Sequence, residues 1–119
     1  MKILFPEFRD IDSRRSLTQL FTGDMKQVNI YHAKKGSYLG NHYHKETNEM
    51  FYVIKGSFVL RHKDAGMDLQ KEQIFNKGQI FLIRPYETHE VECLTNTTFL
   101  TFLDFPYDQN NPDIHKEGL

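Results

Sequence analysis

Two histidines one residue apart, His42 and His44, stand in the run GNHYHKETNEMFYVIKG at residues 40–56. Glu49 follows after four intervening residues, and Gly56 after six more. A further histidine, His89, lies eleven positions beyond Gly78 in the run GQIFLIRPYETH. Three imidazoles and one carboxylate are a sufficient donor set for a divalent metal of intermediate softness. Zinc fits best, with iron, manganese and nickel as alternatives, because ligand type alone does not select the ion. An ion held there would serve as a Lewis acid toward a substrate oxygen.

Such a site requires elements that bring these side chains together. A strand presents residues i and i+2 to one face, so His42 and His44 can look into one interior. The polar turn from Lys45 to Asn48 would return the chain beside them. If Glu49 then faces inward, so do Phe51 and Val53. Gly56 permits the positive φ of a tight hairpin. His89, on a separate hairpin, would enter from across a barrel. β-rich or alternating runs predict strands at Leu17 to Phe21, Gln27 to Ala33, Glu49 to Ile54, Ser57 to His62, Gln73 to Asn76, Gln79 to Ile83, His89 to Leu94 and Thr98 to Phe105. Turn signals fall between them, among them Lys35-Gly36, Lys77-Gly78, Arg84-Pro85 and Thr95-Asn96. No segment longer than a turn or two reads as an amphipathic helix. The expected class is all-β, an antiparallel sandwich or barrel, with a core of Phe51, Val53, Phe58, Leu60, Phe81, Ile83, Val91 and Phe102.

Composition narrows the function classes. At 119 residues the chain reads as a single domain, 1–119, large enough to bury a core. Fifteen basic and sixteen acidic residues give a net charge of −1, which offers no electrostatic case for nucleic acid or an anionic membrane surface. The lone cysteine, Cys93, excludes an intramolecular disulfide and suits a reducing cytoplasm. No apolar run approaches the length of a membrane span, and the N-terminus carries acids where a signal peptide would be apolar. The tail DQNNPDIHKEGL, residues 108–119, is polar and aperiodic and is expected at the surface.

The two histidine-bearing segments, 36–56 and 78–93, resemble the two motifs of the cupin superfamily. In the first, Gly36, His42, His44, Glu49 and Gly56 fall in register. In the second, Gly78 and His89 match, Pro85 sits one place late, Tyr86 stands where glycine is usual, and Cys93 replaces the usual asparagine. The resemblance implies a double-stranded β-helix (jelly-roll) fold with a divalent metal held by His42, His44, Glu49 and His89. More narrowly, NHYHKETNEMFYVIKG and the closing PYDQNNPDIHKE are similar to the cupin domain of bifunctional enzymes that make sugar nucleotides for bacterial capsules. Those domains are zinc-dependent epimerases acting at carbon 3 of a keto-sugar nucleotide. The opening FRDIDSRRSLTQLF resembles the start of deoxysugar epimerases and ketoisomerases, with Asp12, Arg14 and Leu17 in place and Arg15-Ser16 disturbing the spacing. Related ketoisomerases use a His-x-His pair as acid and base without a metal. Glu49 in the ligand position leans this chain toward metal binding.

The function so implied is a metal-binding cupin acting as an epimerase or isomerase on a keto-deoxysugar nucleotide in cell-surface polysaccharide biosynthesis. The alternatives are a metal-dependent dioxygenase and a non-catalytic sugar-binding barrel. Carbon 3 beside a ketone is acidic, so a base must remove its proton and an acid return it. Tyr52, His32, His62 and Tyr38 are the titratable candidates, whereas Tyr43, between the ligands, should face away. For the nucleotide diphosphate, Arg84, Arg14 and Arg61 are candidate cations, with Arg15 beside them. His115 is assigned a surface role. A homodimer that packs or exchanges edge strands is expected from the resemblance.

Overall fold

Glycine- and proline-punctuated runs rich in Val, Ile, Phe and Thr form twelve strands in a computed structural model that describes residues 1–116. They are β1 (Lys2–Leu4), β2 (Phe8–Ile11), β3 (Ser16–Gln19), β4 (Gln27–Ala33), β5 (Tyr38–Tyr43), β6 (Glu49–Lys55), β7 (Ser57–Lys63), β8 (Gln70–Asn76), β9 (Ile80–Ile83), β10 (Thr88–Cys93), β11 (Thr97–Leu103) and β12 (His115–Lys116). Two five-stranded antiparallel sheets face each other, in the orders β1-β9-β6-β11-β4 and β12-β5-β10-β7-β8. A separate hairpin pairs β2 with β3. This is the expected all-β jelly roll. Among the described residues no helix is long and apolar enough to cross a membrane. Of the tail, residues 117–119 lie outside the described part.

The core forms where inward-facing rings of the two sheets meet. Phe51, Val53, Phe81, Ile83 and Phe99 come from one sheet, and Phe58, Leu60, Phe75, Val91 and Cys93 from the other. Phe51 stacks on Phe81 at 4.6 Å between ring centroids, and Phe81 tilts against Phe75 at 4.2 Å. Offset and tilted ring contacts of this kind add to the burial of large apolar area. Phe102 departs from expectation. It lies on the outer face, edge-on to Phe21 at 4.8 Å, while Phe99 and Leu103 take the inner positions of β11. The run TTFLTFL is apolar in both parities, so alternation alone could not choose its face.

Sequence periodicity missed β1, β2, β5 and β12, and of these β5 bears on the site. Gly40 and Asn41 both have positive φ, +93° and +64°. Opposite them the pairing steps from His89↔His42 directly to Glu90↔Gly40, so Asn41 is a bulged residue. The extra residue reverses the facing of the strand. Leu39 packs against the core before the bulge, and His42 turns inward after it. Gly40 is also close to the opposite strand: a Cβ there would lie 2.9 Å from the His89 carbonyl oxygen. A side chain fails at this position on both conformation and space.

Candidate metal and substrate site

Three strands and one turn carry the site. His42 sits at the end of β5, His44 just beyond it, Glu49 opens β6 and His89 lies near the start of β10. His89 does not enter from across the barrel as expected: β10 is the neighbour of β5 in one sheet and pairs with it at His89↔His42, and it is Glu49 on β6 that comes from the facing sheet. The ring nitrogens of His42, His44 and His89 offer one ligand atom each, all within 4.8 Å of one another. Glu49 is 7% exposed; its Oε1 lies 3.2 Å from His44 Nε2 and 3.7 Å from His89 Nε2. The four residues expected to converge therefore do, with the three imidazoles forming the tight set and the carboxylate bridging two of them.

Backbone carbonyls orient the rings. His44 Nδ1 donates to the Asp113 carbonyl at 2.6 Å, and His89 Nδ1 to the Glu87 carbonyl at 3.0 Å. A carbonyl can only accept, so Nδ1 carries a proton in both rings and Nε2 is turned to the site, where that of His44 meets Glu49 Oε1 at 3.2 Å. His42 is hydrogen-bonded to the backbone of Gly40. The electrostatics divide the three. Burial, with the neighbouring His44 and Lys116, lowers His42 to about 4. Burial and the other two imidazoles push His89 well below its ordinary value. Burial also pulls on His44, but the hydrogen bond and charge of Glu49, with Asp113, outweigh it and raise this histidine. Neutral imidazoles at His42 and His89, with His44 able to give up its proton to a bound cation beside the Glu49 carboxylate, are donor chemistry that fits a divalent ion.

Above this cluster opens a cavity of about 420 Å³. Its aromatic and aliphatic walls come from Tyr31, Phe51, Phe99, Leu103, Phe105 and Tyr107. Tyr31 stacks on Phe99 at 4.7 Å and nearly parallel, with an interplanar angle of 7°. Gln27 and Asn29, the other inward residues of β4, add amides hydrogen-bonded to each other at 3.2 Å. Apolar walls with a few fixed polar groups are the usual composition of a small-molecule site.

The expected acid–base residues lie elsewhere. His32 is on the outer face of β4, bonded to Thr98 Oγ1 at 3.2 Å. Tyr38 is exposed and hydrogen-bonded to Glu92. Tyr52 occupies the face of β6 opposite Phe51 and Val53. His62 does face inward, as the pairing partner of His89 on β7, and is buried. It does not line the cavity, and neither ring nitrogen has a hydrogen-bond partner among the described residues. Tyr43 faces away, as expected, against Tyr86 and His115. The expected phosphate cations also stand off. Arg61 is engaged by Glu72 and Glu92 at 3.0 and 2.7 Å, Arg84 by Glu87 at 2.5 Å, Arg14 by Asp12 at 3.0 Å and Arg15 by Asp10 at 3.1 Å. No lysine or arginine is among the described residues that line the cavity. What sequence reasoning missed is the β4 trio Gln27, Asn29 and Tyr31, readable in principle as alternate residues of a correctly placed strand, and Asp113, which nothing in the local pattern marks.

The family model described as the polysaccharide biosynthesis C-terminal domain matches residues 10–115. No curated protein sequence matches the chain. Among solved structures, the capsular polysaccharide assembling protein CapF from Staphylococcus aureus is 29% identical with a TM-score of 0.74; the match covers 98% of this chain and 34% of CapF, so the chain spans about a third of that protein. A variant of the 3,4-ketoisomerase QdtA from Thermoanaerobacterium thermosaccharolyticum, in complex with TDP-4-keto-6-deoxyglucose, is 20% identical with a TM-score of 0.76, covering 92% of this chain and 85% of QdtA. A 3,4-ketoisomerase from Helicobacter canadensis is 21% identical with a TM-score of 0.82, covering 98% and 90%. With these two the likeness is one of fold.

Proposed function

This chain belongs to the polysaccharide biosynthesis C-terminal domain family, and from that membership we propose that it is an isomerase or epimerase acting on a keto-deoxysugar nucleotide in cell-surface polysaccharide biosynthesis. The observation that carries the reading is the buried His42–His44–His89 set with Glu49, lying at the cavity that Tyr31 and the Gln27–Asn29 amides line. A hexose ring suits such walls, with hydroxyls for the amides and a flat face for the aromatic rings.

Zinc is the ion we propose for the site, held by the three imidazoles with Glu49 as the carboxylate ligand. When bound it would stabilise negative charge on the substrate ketone oxygen. The chain's own residues supply the remainder. The aromatic wall excludes water, the amides orient the ring, and the carbonyls of Asp113 and Glu87 keep Nε2 of His44 and His89 directed inward. With Tyr52, His32 and Tyr38 outside the cavity, and the imidazoles and Glu49 engaged when the ion is bound, the proton would pass through other titratable groups that line it, the Tyr31 hydroxyl first among them.

One observation favours a second, metal-free version of the same isomerisation. His42 is lowered to about 4 while His44 is raised. Paired groups pushed apart in this way suit a neutral base beside a charged acid. The chain spans about a third of CapF, so the sugar, the nucleotide and any partner domain belong to the proposal. We further propose a cytoplasmic homodimer, supported by the single buried thiol and by exposed apolar strand faces.

The test is incubation with TDP-4-keto-6-deoxyglucose in deuterated water, followed by proton NMR, with and without zinc. Deuterium should enter at carbon 3, accompanied by an isomerised or epimerised product. Binding without any exchange would overturn the enzyme reading in favour of a sugar-binding barrel. Zinc dependence separates the two versions.

A further inference from the structure

We propose that Asp113 is a positioning residue that couples closure of a C-terminal strap over the cavity to the ligand geometry of His44. The inference rests on the metal reading of the site and goes beyond it.

The turn between His44 and Glu49 joins two of the expected ligands. Its backbone donors are satisfied by the tail. The Asp113 carboxylate accepts from the amides of Lys45, Glu46 and Thr47 at 2.7, 2.8 and 2.9 Å, and from the Thr47 hydroxyl at 2.9 Å. Its own backbone carbonyl holds His44 Nδ1. A second foot of the same strap stands on the same turn: Asp104 accepts from the Asn48 amide and side chain at 2.8 and 2.9 Å. Between the two feet the chain passes over the cavity, where Phe105 and Tyr107 line the wall and the Tyr107 amide donates to Gln27 at 2.8 Å.

Four hydrogen bonds from one turn to a single carboxylate, which also contacts His115 Nε2 at 3.1 Å, exceed what a surface turn needs. Charged acceptors bind amides more strongly than neutral ones, and here every one of those amides belongs to the ligand-bearing turn. Burial opposes the charge on Asp113, yet these bonds hold its carboxyl well below the usual carboxylate range. A bare end-of-chain anchor would tie the tail to any nearby strand. This one fixes the ring of His44 and roofs the cavity with one residue. Because the two actions share an atom framework, whatever loads the histidine set must favour the closed strap, and the closed strap must favour loading.

Cobalt(II) serves as the probe, because its visible spectrum reports ligand geometry. We expect Asp113→Ala to weaken cobalt binding about tenfold or more in chelator competition, as loss of an orienting partner does, and to change the visible bands. Cobalt should slow cleavage of the wild-type strap by a protease that cuts after aromatic residues at Tyr107, and the Asp113→Ala strap should be cut quickly with or without cobalt. Asp108→Asn is the control, since Asp108 caps only Asn110 within the tail at 2.9 Å; it should behave as wild type. If the alanine variant fails to fold, Asp113→Asn decides, with an intermediate weakening of at least about threefold. Wild-type affinity and spectrum in a folded Asp113 variant, or strap cleavage indifferent to cobalt, would overturn the inference alone. A wild-type chain that binds no cobalt overturns the metal reading and this inference with it.

Discussion

At the scale of single residues, the three imidazoles are unequal, and the inequality predicts a pH response. His42 lies at about 4 in the folded chain, and His89 is lowered further than an ordinary histidine by burial and its neighbours. Below the ordinary histidine range the unfolded chain takes up protons that these two folded sites refuse, so their effect is to remove stability as pH falls through about 6.5 toward 4. His44 runs the other way: its raised value adds stability that is full below about 6.5 and is lost as pH rises through the folded value. Two against one, the metal-free protein should be less stable in mild acid; Asp113, held below the usual carboxylate range, stays ionised there and adds its own loss only at lower pH. A thermal melt in chelator at pH 7.5 and pH 5 should show a fall of roughly 4 °C for each kcal/mol lost. The variant His42→Asn should flatten part of that slope. A melting temperature unchanged between the two pH values would contradict the assigned environments.

At the scale of elements, the site depends on one irregularity. The bulge at Gly40 and Asn41 lets β5 put Leu39 into the core and His42 into the cavity, which an uninterrupted strand could not do. Gly40→Ala would force a side chain into a positive-φ position and to within 2.9 Å of the His89 carbonyl. We expect a loss of about 2 kcal/mol or more in denaturant unfolding, with weakened metal binding because the strand carrying His89 must shift. The same irregularity explains what could be read in advance. β4, β6, β7, β9 and β10 alternate cleanly or are bounded by glycine, and they lie close to where periodicity placed them. The convergence of His42, His44, Glu49 and His89 followed from motif spacing. β5 was hidden because its own bulge erases the period, Phe102 was misassigned because β11 is apolar in both parities, and Asp113 was invisible because its partners lie 66 to 69 positions away in the chain.

At the scale of the whole molecule, the apolar core is closed while the outer faces leave large apolar side chains exposed. Val28 and Ile30 on the outer face of β4 are 58% and 57% exposed, and Phe5 and Ile11 beside or within the β2–β3 hairpin are 81% and 68% exposed. β4 also ends its sheet in the described residues. An apolar face on a terminal strand invites pairing, and natural proteins commonly cover such edges. A second copy is the occupant we expect, because a two-fold axis would set the same apolar face of each copy against the other. Dimerisation also bears on the substrate. The cavity wall has no lysine or arginine, while Arg14 and Arg15 sit on the hairpin in ion pairs with Asp12 and Asp10 that are exposed and therefore weak. Sedimentation should give twice the chain mass of 14.1 kDa. Ile30→Asp should shift the protein to monomer with little change in the internal core, since that side chain points away from it. If the wild type sediments as a monomer across micromolar concentrations, the apolar faces need a different partner, and the diphosphate of any nucleotide sugar must be met by cations from that partner or left in solvent.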